Sequence, residues 1–210
     1  MQTIILADGA FPKNENLLRL LREADRVICC DGAAQKLLDF GREPDAIVGD
    51  MDSLTDQLKL RFEDRIFPSS DQETNDLTKA VDFCIGKKYH DIAILGATGL
   101  REDHTLGNIS LLADYSMRIG DICLMTDYGR MDAMHTSESF ECTPGQQVSI
   151  FALTPDTRIT AQGLRYPIEN KSFTSWWQGT LNQTLSETFR LEIDHGCLLV
   201  YRYGCHPFKG

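Results

Sequence analysis

The chain has 210 residues, of which 42% are hydrophobic and 25% charged, a composition typical of a globular protein with one large or two small domains. Its formal net charge of −10 argues against a general nucleic-acid-binding protein, which needs a basic face. No apolar run is long enough to span a membrane, and the seven cysteines show no Cys-x-x-Cys spacing, so we expect a reduced, cytoplasmic protein without structural zinc.

The first two-thirds of the chain alternate between short apolar runs and segments of helical periodicity. The apolar runs predict strands over residues 3–7, 26–30, 45–48, 65–67, 92–95 and 122–125. Helices are predicted between them, over residues 16–23, 34–40, 55–63, 77–85 and 103–118. The fourth helix is predicted to carry one apolar stripe, formed by Leu77, Ala80, Val81, Cys84 and Ile85. The last helix is predicted to carry an apolar side formed by Leu106, Ile109, Leu112 and Ala113. Because strands separated by helices form a parallel sheet covered on both faces, residues 1–134 are predicted to form a doubly wound, Rossmann-like α/β domain.

The pattern changes after Met134, where helical periodicity disappears. Turn residues now separate short strand-like runs over residues 148–153, 158–161, 188–193 and 197–203. In the third run, Phe189, Leu191 and Ile193 alternate with charged residues, which is typical of a half-buried strand. Residues 135–210 are therefore predicted to form a small all-β sandwich domain.

Polar residues follow the predicted α/β strands at their carboxyl ends. These clusters are Asp8-Gly9, Asp31-Gly32, Gly49-Asp50-Met51-Asp52, Ser69-Ser70-Asp71 and Gly96. Because ligands of parallel α/β sheets bind outside the carboxyl ends of the strands, the sequence predicts a binding site at this edge.

Asp50 and Asp52 are the first candidate cation ligands. In an extended backbone, residues two apart point to the same face, so these carboxylates would lie side by side and repel each other unless a cation neutralised them. Mg²⁺ takes such oxygen ligands and often binds substrate phosphates as well. The alternative is structural, because Asp52 or Ser53 would also suit the turn into the next helix.

The segment Asp71–Lys79 combines an acidic loop with the start of a helix. At the same sheet edge, Asp76 would supply a third carboxylate to a shared cation, and Lys79, one turn later, would reach a phosphate oxygen. A structural interpretation is also open, because Asp76 suits the helix dipole and Thr74 or Asn75 could cap the helix.

The passage from Leu95 to His104 leads from a strand through a glycine-containing loop into a helix. Backbone N–H groups there would form an anion site, and Arg101 would grip a phosphate with two N–H groups. The Gly-Lys-Ser/Thr ending of a Walker A loop is absent. Alternatively, Asp103 would be an N-cap and His104 an ordinary helix residue.

Tyr166, Trp176 and Trp177 are the notable aromatic residues of the predicted β domain. Their ring faces would attract an organic cation. Core or interface packing is the competing interpretation for at least one of the tryptophans.

Taken in order, five motifs resemble those of the thiamine pyrophosphokinase family, and the resemblance covers nearly the whole chain. They are Asp31-Gly32-Ala33, Gly49–Ser53, Asp71–Lys79, Gly96–His104 followed by Leu106-Gly107-Asn108, and Gly163-Leu164-Arg165-Tyr166-Pro167. The chain departs from the family pattern at Leu100, where many members have glycine, at Leu181-Asn182, where Ser-Asn is usual, and at Trp176-Trp177, where small residues are usual.

The resemblance implies transfer of the β,γ-diphosphate of ATP to the hydroxyethyl group of thiamine, with release of AMP. It assigns Mg²⁺ to Asp50, Asp52 and Asp76 and adds Asp103 as a further catalytic residue. The implied nucleotide site comprises Asp31, Asp71, Gln72, Lys79, Gly96, Thr98, Gly99 and Arg101. The implied thiamine site comprises Tyr166, Thr180 and Asn182. The family pattern also implies a homodimer in which the two subunits share each thiamine site.

Two alternative functions remain open at this stage. The acceptor of the ATP-derived group would be a different small molecule, such as a pterin alcohol, because an aromatic pocket stacks a pterin as readily as an aminopyrimidine. Alternatively, the chain would be a non-catalytic sensor of nucleotide or thiamine. Three mutually repelling acids at Asp50, Asp52 and Asp76 argue against a mere binding protein.

Overall fold

The computed structural model describes residues 1–71 and 73–205. They divide into two compact units, the first comprising Met1–Asp127 and the second beginning at Tyr128. The sequence-based boundary after residue 134 differs from this division by one strand, Gly129–Met134, which lies in the second unit.

The first unit is an α/β domain, as predicted. Its strands are β1 (Thr3–Leu6), β2 (Arg26–Cys30), β3 (Ala46–Gly49), β4 (Ile66–Pro68), β5 (Ile92–Leu95) and β6 (Ile122–Thr126). Its helices are α1 (Glu15–Glu23), α2 (Ala33–Asp39), α3 (Asp56–Arg61), α4 (Asp76–Gly86) and α5 (Glu102–Ile119). The strands pair in parallel in the order β6-β5-β1-β2-β3-β4. The order reverses at β1, so the loops after β1 and β5 flank the crevice where such sheets bind ligands.

Both faces of this sheet are covered. Ile4, Cys29 and Ile47 belong to a core shared with α1, α2 and α3. The alternating residues Ile5 and Val48 are also buried, on the face where α4 and α5 contact the sheet. A strand that is buried on both faces has a continuous run of apolar residues, so such strands can be predicted from the sequence.

Helices α4 and α5 differ in how well their packing matches the prediction. In α4 the predicted stripe is buried at Leu77, Ala80, Val81 and Cys84. In α5 the buried residues are Leu112 and Tyr115, whereas Leu106 is 57% exposed. The predicted apolar side of α5 is therefore wrong at Leu106, because six residues at 3.6 per turn place it about 120° from Leu112 around the helix.

The second unit is a β-sandwich, as predicted. Its strands are β7 (Gly129–Met134), β8 (Glu138–Glu141), β9 (Gln147–Ala152), β10 (Ile159–Gln162), β11 (Ile168–Lys171), β12 (Asn182–Gln183), β13 (Thr188–Ile193) and β14 (Leu198–Tyr203), and a 3₁₀ turn covers Trp176–Gly179. They pair antiparallel in the orders β12-β9-β14-β7 and β11-β10-β13-β8. Ile150 and Val200 of the first set and Phe189 and Leu191 of the second share one core.

The sequence analysis also made predictions about the cysteines and about membrane-spanning segments. Within the described residues, none of the seven cysteines forms a disulfide, and six of them are buried. None of the helices described is both long and apolar enough to cross a membrane.

Candidate active site

Three carboxylates meet at the carboxyl edge of the α/β sheet. Asp31 follows β2, Asp50 follows β3, and Asp76 is the first residue of α4. One carboxylate oxygen from each lies within 4.8 Å of the others. Gly49 makes this approach possible, because a Cβ atom there would lie 3.0 Å from Cβ of Asp31 and 3.3 Å from Oδ1 of Asp76.

Asp31 is the most deeply buried of the three, with 3% of its surface exposed. Its Oδ2 accepts a hydrogen bond of 3.0 Å from the backbone N–H of Ser53, whereas its buried Oδ1 has no partner. Burial raises the pKa of Asp31, and the charges of Asp76 and Asp50 raise it further against the opposing effect of the Ser53 N–H. Clustered carboxylates with an unpartnered oxygen are the donor set that a hard cation such as Mg²⁺ takes, so these residues fit that ion.

The backbone does not stay extended through Asp50 and Asp52. Strand β3 ends at Gly49, and Met51 is buried in the left-handed region, with φ of 68°. Asp52 is therefore turned towards solvent, and its backbone N–H donates to Oδ1 of Asp50 at 3.2 Å. The structure groups Asp31 with Asp50 and Asp76, and the role of Asp52 as a metal ligand stays a prediction from the motif.

Lys79 brings a cation to the same cluster. It is 7% exposed, and its Nζ donates to Oδ1 of Asp76 at 3.0 Å. The two residues share a face of α4, whose N-terminus is capped by the side chain of Asn75. A buried ammonium group paired with one carboxylate oxygen leaves further N–H groups for a phosphate.

A cavity of about 450 Å³ opens beside these groups. Of the predicted site residues, Asp50, Asp76, Lys79, Thr98 and Arg101 line it. Sequence reasoning did not assign site roles to four further lining residues, which are Asp8, Asn75, His104 and Asn108. All four lie within the polar clusters or motifs described above, and this position along the chain was the available signal.

The loops after β1 and β5 are joined by backbone contacts. Gly9 N–H donates to Gly96 C=O at 2.7 Å, and Ala10 N–H donates to Thr98 C=O at 2.9 Å. Gly96 has φ of 68°, and a Cβ atom there would lie 2.5 Å from the carbonyl oxygen of Ala7. Gly96 and Gly99 both have positive φ and shape the loop without lining the cavity. Thr98, between them, lines the cavity.

Arg101 and Asp103 form an exposed, two-pronged ion pair. Nη2 and Nε of Arg101 donate to the two oxygens of Asp103 at 2.5 and 3.1 Å. This bond, together with the backbone N–H of His104, lowers the pKa of Asp103 to about 2. Asp103 is not the N-cap of α5, because Arg101 occupies that position. Arg101 also lines the cavity, so a phosphate would compete with Asp103 for the guanidinium.

Two asparagines connect the two helices that begin at the cavity. Asn75 Nδ2 donates to Oδ1 of Asn108 at 3.1 Å, and Asn108 Nδ2 donates to the carbonyl of Ala97 at 2.8 Å. Oδ1 of Asn75 accepts from the N–H of Thr78 at 2.9 Å. The chain of bonds therefore ties the start of α4 to the loop after β5.

Asp71 has a local structural role. Its two oxygens accept hydrogen bonds from the N–H of Glu73 at 2.9 Å and the hydroxyl of Thr74 at 2.7 Å, which lower its pKa. Asp71 does not line the cavity, although Thr74 does. The predicted nucleotide residue Gln72 lies outside the described residues.

In the second unit, Asn182 holds the backbone of Tyr166. Its Oδ1 accepts from Tyr166 N–H at 3.0 Å and its Nδ2 donates to Tyr166 C=O at 2.8 Å, so both polar atoms of the buried side chain are used. The Tyr166 ring remains 57% exposed. The hydroxyl of Thr180 donates to the carbonyl of Trp177 at 2.7 Å, and the residue is exposed.

The two tryptophans have different environments. The ring of Trp176 packs edge to face on the ring of Phe151, with 6.0 Å between the ring centroids. Its indole N–H donates to the carbonyl oxygen of Ala152 at 3.2 Å. Trp177 is 72% exposed. Trp176 is therefore packed in part against Phe151, with 47% of its surface exposed.

Comparisons with known proteins identify the family of the chain. Residues 17–124 match the family described as "Thiamin pyrophosphokinase, catalytic domain", and residues 129–201 match "Thiamin pyrophosphokinase, substrate-binding domain". The chain belongs to the thiamin pyrophosphokinase family. The resemblance drawn from its motifs is confirmed, and the chain is a diphosphotransferase of that family.

Individual relatives give the same result. The chain is 28% identical to thiamine pyrophosphokinase 1 of Oryza sativa over 200 residues, which cover 80% of this chain and 75% of that protein. It is 37% identical to the Bacillus subtilis thiamine pyrophosphokinase over 119 residues, 53% of this chain and 55% of that protein. The crystal structure of a Bacillus subtilis thiamine pyrophosphokinase superposes with a TM-score of 0.78 at 26% identity, over 96% of this chain and 99% of the other.

The two family matches divide the candidate residues. The carboxylate cluster, Lys79, Arg101 and Asp103 fall in the range matched by the catalytic domain. Tyr166, Thr180 and Asn182 fall in the range matched by the substrate-binding domain. The candidate residues therefore fall into two groups, one in each of the two matched ranges.

Proposed function

We propose that the chain transfers the diphosphate group of ATP to the hydroxyl of thiamine in an Mg²⁺-dependent reaction that releases AMP. The observation that carries the proposal is the cluster of Asp31, Asp50 and Asp76 in the family's catalytic domain, where Asp76 pairs with Lys79. Asp50, Asp76 and Lys79 line the cavity, and Asp31 lies behind them without lining it. Asp31, Asp50 and Asp76 would hold Mg²⁺, and Asp52 is retained as a ligand suggested by the motif.

The residues of the cavity then act mainly by positioning and charge neutralisation. Bound Mg²⁺ would neutralise phosphate charge at the carboxylate cluster and polarise the reacting phosphoryl groups. Lys79 and Arg101 donate to phosphate oxygens, and Thr98 with the adjoining loop backbone holds the same chain of phosphates. The thiamine oxygen forms a bond to the β-phosphorus of ATP as the bond to the α–β bridging oxygen breaks, and a carboxylate of the site accepts the hydroxyl proton.

The thiamine side of the site is proposed to lie on the second unit. The exposed ring of Tyr166 offers an aromatic face to the thiazolium cation, and Thr180 offers a hydroxyl. Asn182 acts through Tyr166, because its own polar atoms are occupied. On the family pattern, we further propose a homodimer with thiamine sites shared between subunits, and from the cysteine usage a cytoplasmic location.

An assay for AMP tests the reaction directly. The chain is incubated with ATP and Mg²⁺, with and without thiamine, and the nucleotide and thiamine products are separated. We expect AMP and thiamine diphosphate in equal amounts, formed only when thiamine and Mg²⁺ are both present. ADP would indicate a monophosphate kinase, and activity with a pterin alcohol in place of thiamine would change the acceptor. Thiamine binding without any nucleotide product would favour the sensor.

The Arg101→Ala variant is expected to impair ATP use selectively. A charge-assisted, two-pronged bond to phosphate is lost, so the KM for ATP should rise about tenfold or more while the KM for thiamine changes less than about twofold. Tyr166→Ala is the matched variant, with the opposite selectivity expected. Initial-rate kinetics with each substrate varied measure both effects. Equal losses for the two substrates in Arg101→Ala would contradict a phosphate role for this residue.

A further inference from the structure

The Nζ atom of Lys36 contacts three oxygen atoms of the loop after β1, and Lys36 itself does not line the cavity. Its Nζ lies 2.8 Å from Oδ1 of Asp8, 2.9 Å from the carbonyl oxygen of Asp8 and 2.8 Å from the carbonyl oxygen of Gly9. An ammonium group has three N–H donors, so these three oxygens use all of them. In this geometry the contacts occupy all three donors of Lys36 and leave none for a substrate.

The segment that Lys36 holds is a wall of the cavity. Ala7, Asp8 and Gly9 all line it. Gly9 also contacts Gly96 so closely that a Cβ atom at Gly9 would lie 2.3 Å from the Gly96 carbonyl oxygen. A shift of the loop after β1 would therefore move the loop after β5, which contributes Thr98 to the cavity.

Lys36 also ties this wall to the segment that carries Asp31. Lys36 lies in α2, which begins two residues after Asp31. The other oxygen of Asp8 packs against Gly32, where an added Cβ atom would lie 2.7 Å away. Asp8 thus lies between Lys36 and Gly32, and its negative charge is paired with a lysine that does not itself line the cavity.

We propose that Lys36 is a positioning residue for ATP, acting through Asp8 and Gly9 rather than by contact with the nucleotide. It sets the phosphate-facing wall of the cavity and pairs with the Asp8 carboxylate, which would otherwise repel a polyphosphate. This inference rests on the proposed function, because it takes the ligand of the cavity to be ATP.

The Lys36→Met variant tests this role, because methionine keeps much of the apolar stem and removes the charge and the donors. We expect the Kd for α,β-methylene ATP with Mg²⁺, measured by calorimetry, to rise about tenfold. The KM for ATP should rise similarly, and the KM for thiamine should stay within about twofold of the original. Lys36→Arg should restore most of the affinity, since arginine keeps the charge and several donors.

A double-mutant cycle with Asp8→Asn separates action through the loop from direct contact. If Lys36 acts through Asp8, the effect of Lys36→Met on the Kd should be at least about threefold smaller in the Asp8→Asn background. Effects that multiply in full would show that Lys36 does not act through the Asp8 carboxylate and would overturn the proposal. Lys59→Met, on α3 and away from the cavity lining, is the matched control and should leave the Kd unchanged.

The remaining outcomes also distinguish the two claims. An original chain that binds the ATP analogue but forms no AMP would contradict the proposed function, while the Kd values would still test Lys36. An active original chain with an unchanged Kd in Lys36→Met would contradict the positioning role alone. Equal losses for ATP and thiamine, accompanied by a lower unfolding midpoint, would assign Lys36 to structure only.

Discussion

Asp76→Asn is expected to lower the turnover of ATP and thiamine by at least about a thousandfold, equivalent to about 4 kcal/mol of activation free energy. Asp76 is common to the carboxylate cluster and to the ion pair with Lys79. Its replacement removes one full negative charge from the proposed Mg²⁺ site. It also removes the charge that holds Lys79 beside that site, so the two features that bind phosphates are weakened together.

The loss should not arise from unfolding. Asparagine keeps a carbonyl oxygen that can accept the hydrogen bond from Lys79, and Asn75 still caps α4. Circular dichroism and the urea midpoint should therefore resemble those of the original chain. Asp82→Asn on the same helix is the control, since Asp82 pairs with Arg118 on the surface and surface pairs contribute little. Near-normal, Mg²⁺-dependent turnover in Asp76→Asn would contradict the proposed site.

The architecture was predictable because its signals are local. Each α/β strand is a short apolar run, and the stripe of α4 repeats at helical spacing, so neither needs knowledge of distant residues. The position of the site followed from one topological rule, that polar residues at the carboxyl ends of parallel strands meet at one edge. Asp50, Asp76 and Lys79 are found together there for that reason.

The composition of the carboxylate cluster was less predictable, because it depends on one backbone angle. An extended strand through Asp52 would have placed it beside Asp50, but the left-handed conformation of Met51 turns the chain. The same turn brings the N–H of Ser53 to Asp31, which lies 22 residues earlier in the chain. Contacts of this kind join separate loops, and no periodicity in the sequence records them.

The Asp8–Lys36 contact likewise joins residues that are far apart in the sequence. The sequence places Asp8 at the predicted edge of the sheet. It gives no reason to connect Asp8 with Lys36, because α1 and β2 lie between the two residues along the chain. Only the packing of α2 near the end of β1 brings the two residues together. Residues that position a site through its loops are therefore harder to predict than residues that line it.

Asp31→Asn is expected to stabilise the chain in the absence of divalent cations and to disable it in their presence. At pH 7 with a chelator, the free energy of unfolding should rise by about 1 kcal/mol, because a buried charge beside two others is removed. The asparagine oxygen can still accept from Ser53, and the amide can donate to the neighbouring carboxylates. With Mg²⁺, turnover should fall about a hundredfold or more, since the cluster loses a ligand.

The pH dependence of stability gives this prediction a second readout. The pKa of Asp31 is raised in the folded chain above its ordinary value of 3.8, so the folded state holds the proton more tightly than the unfolded state does. The contribution of Asp31 to stability therefore falls as pH rises from that ordinary value through the raised pKa. The advantage of Asp31→Asn should be present at pH 7 and shrink as pH falls towards 3.8.

Urea unfolding with chelator and with Mg²⁺, across this pH range, measures these effects. Mg²⁺ should stabilise the original chain, because it binds only the folded cluster, and should stabilise Asp31→Asn much less. Asp52→Asn is the matched comparison, and without cations its exposed position should keep the change in unfolding free energy within about 0.5 kcal/mol. Its response to Mg²⁺ tests the ligand role that the motif suggests. If Asp31→Asn is no more stable than the original chain in chelator, mutual repulsion in the cluster is refuted. The case for a cation there would then rest on Asp50 and Asp76 alone.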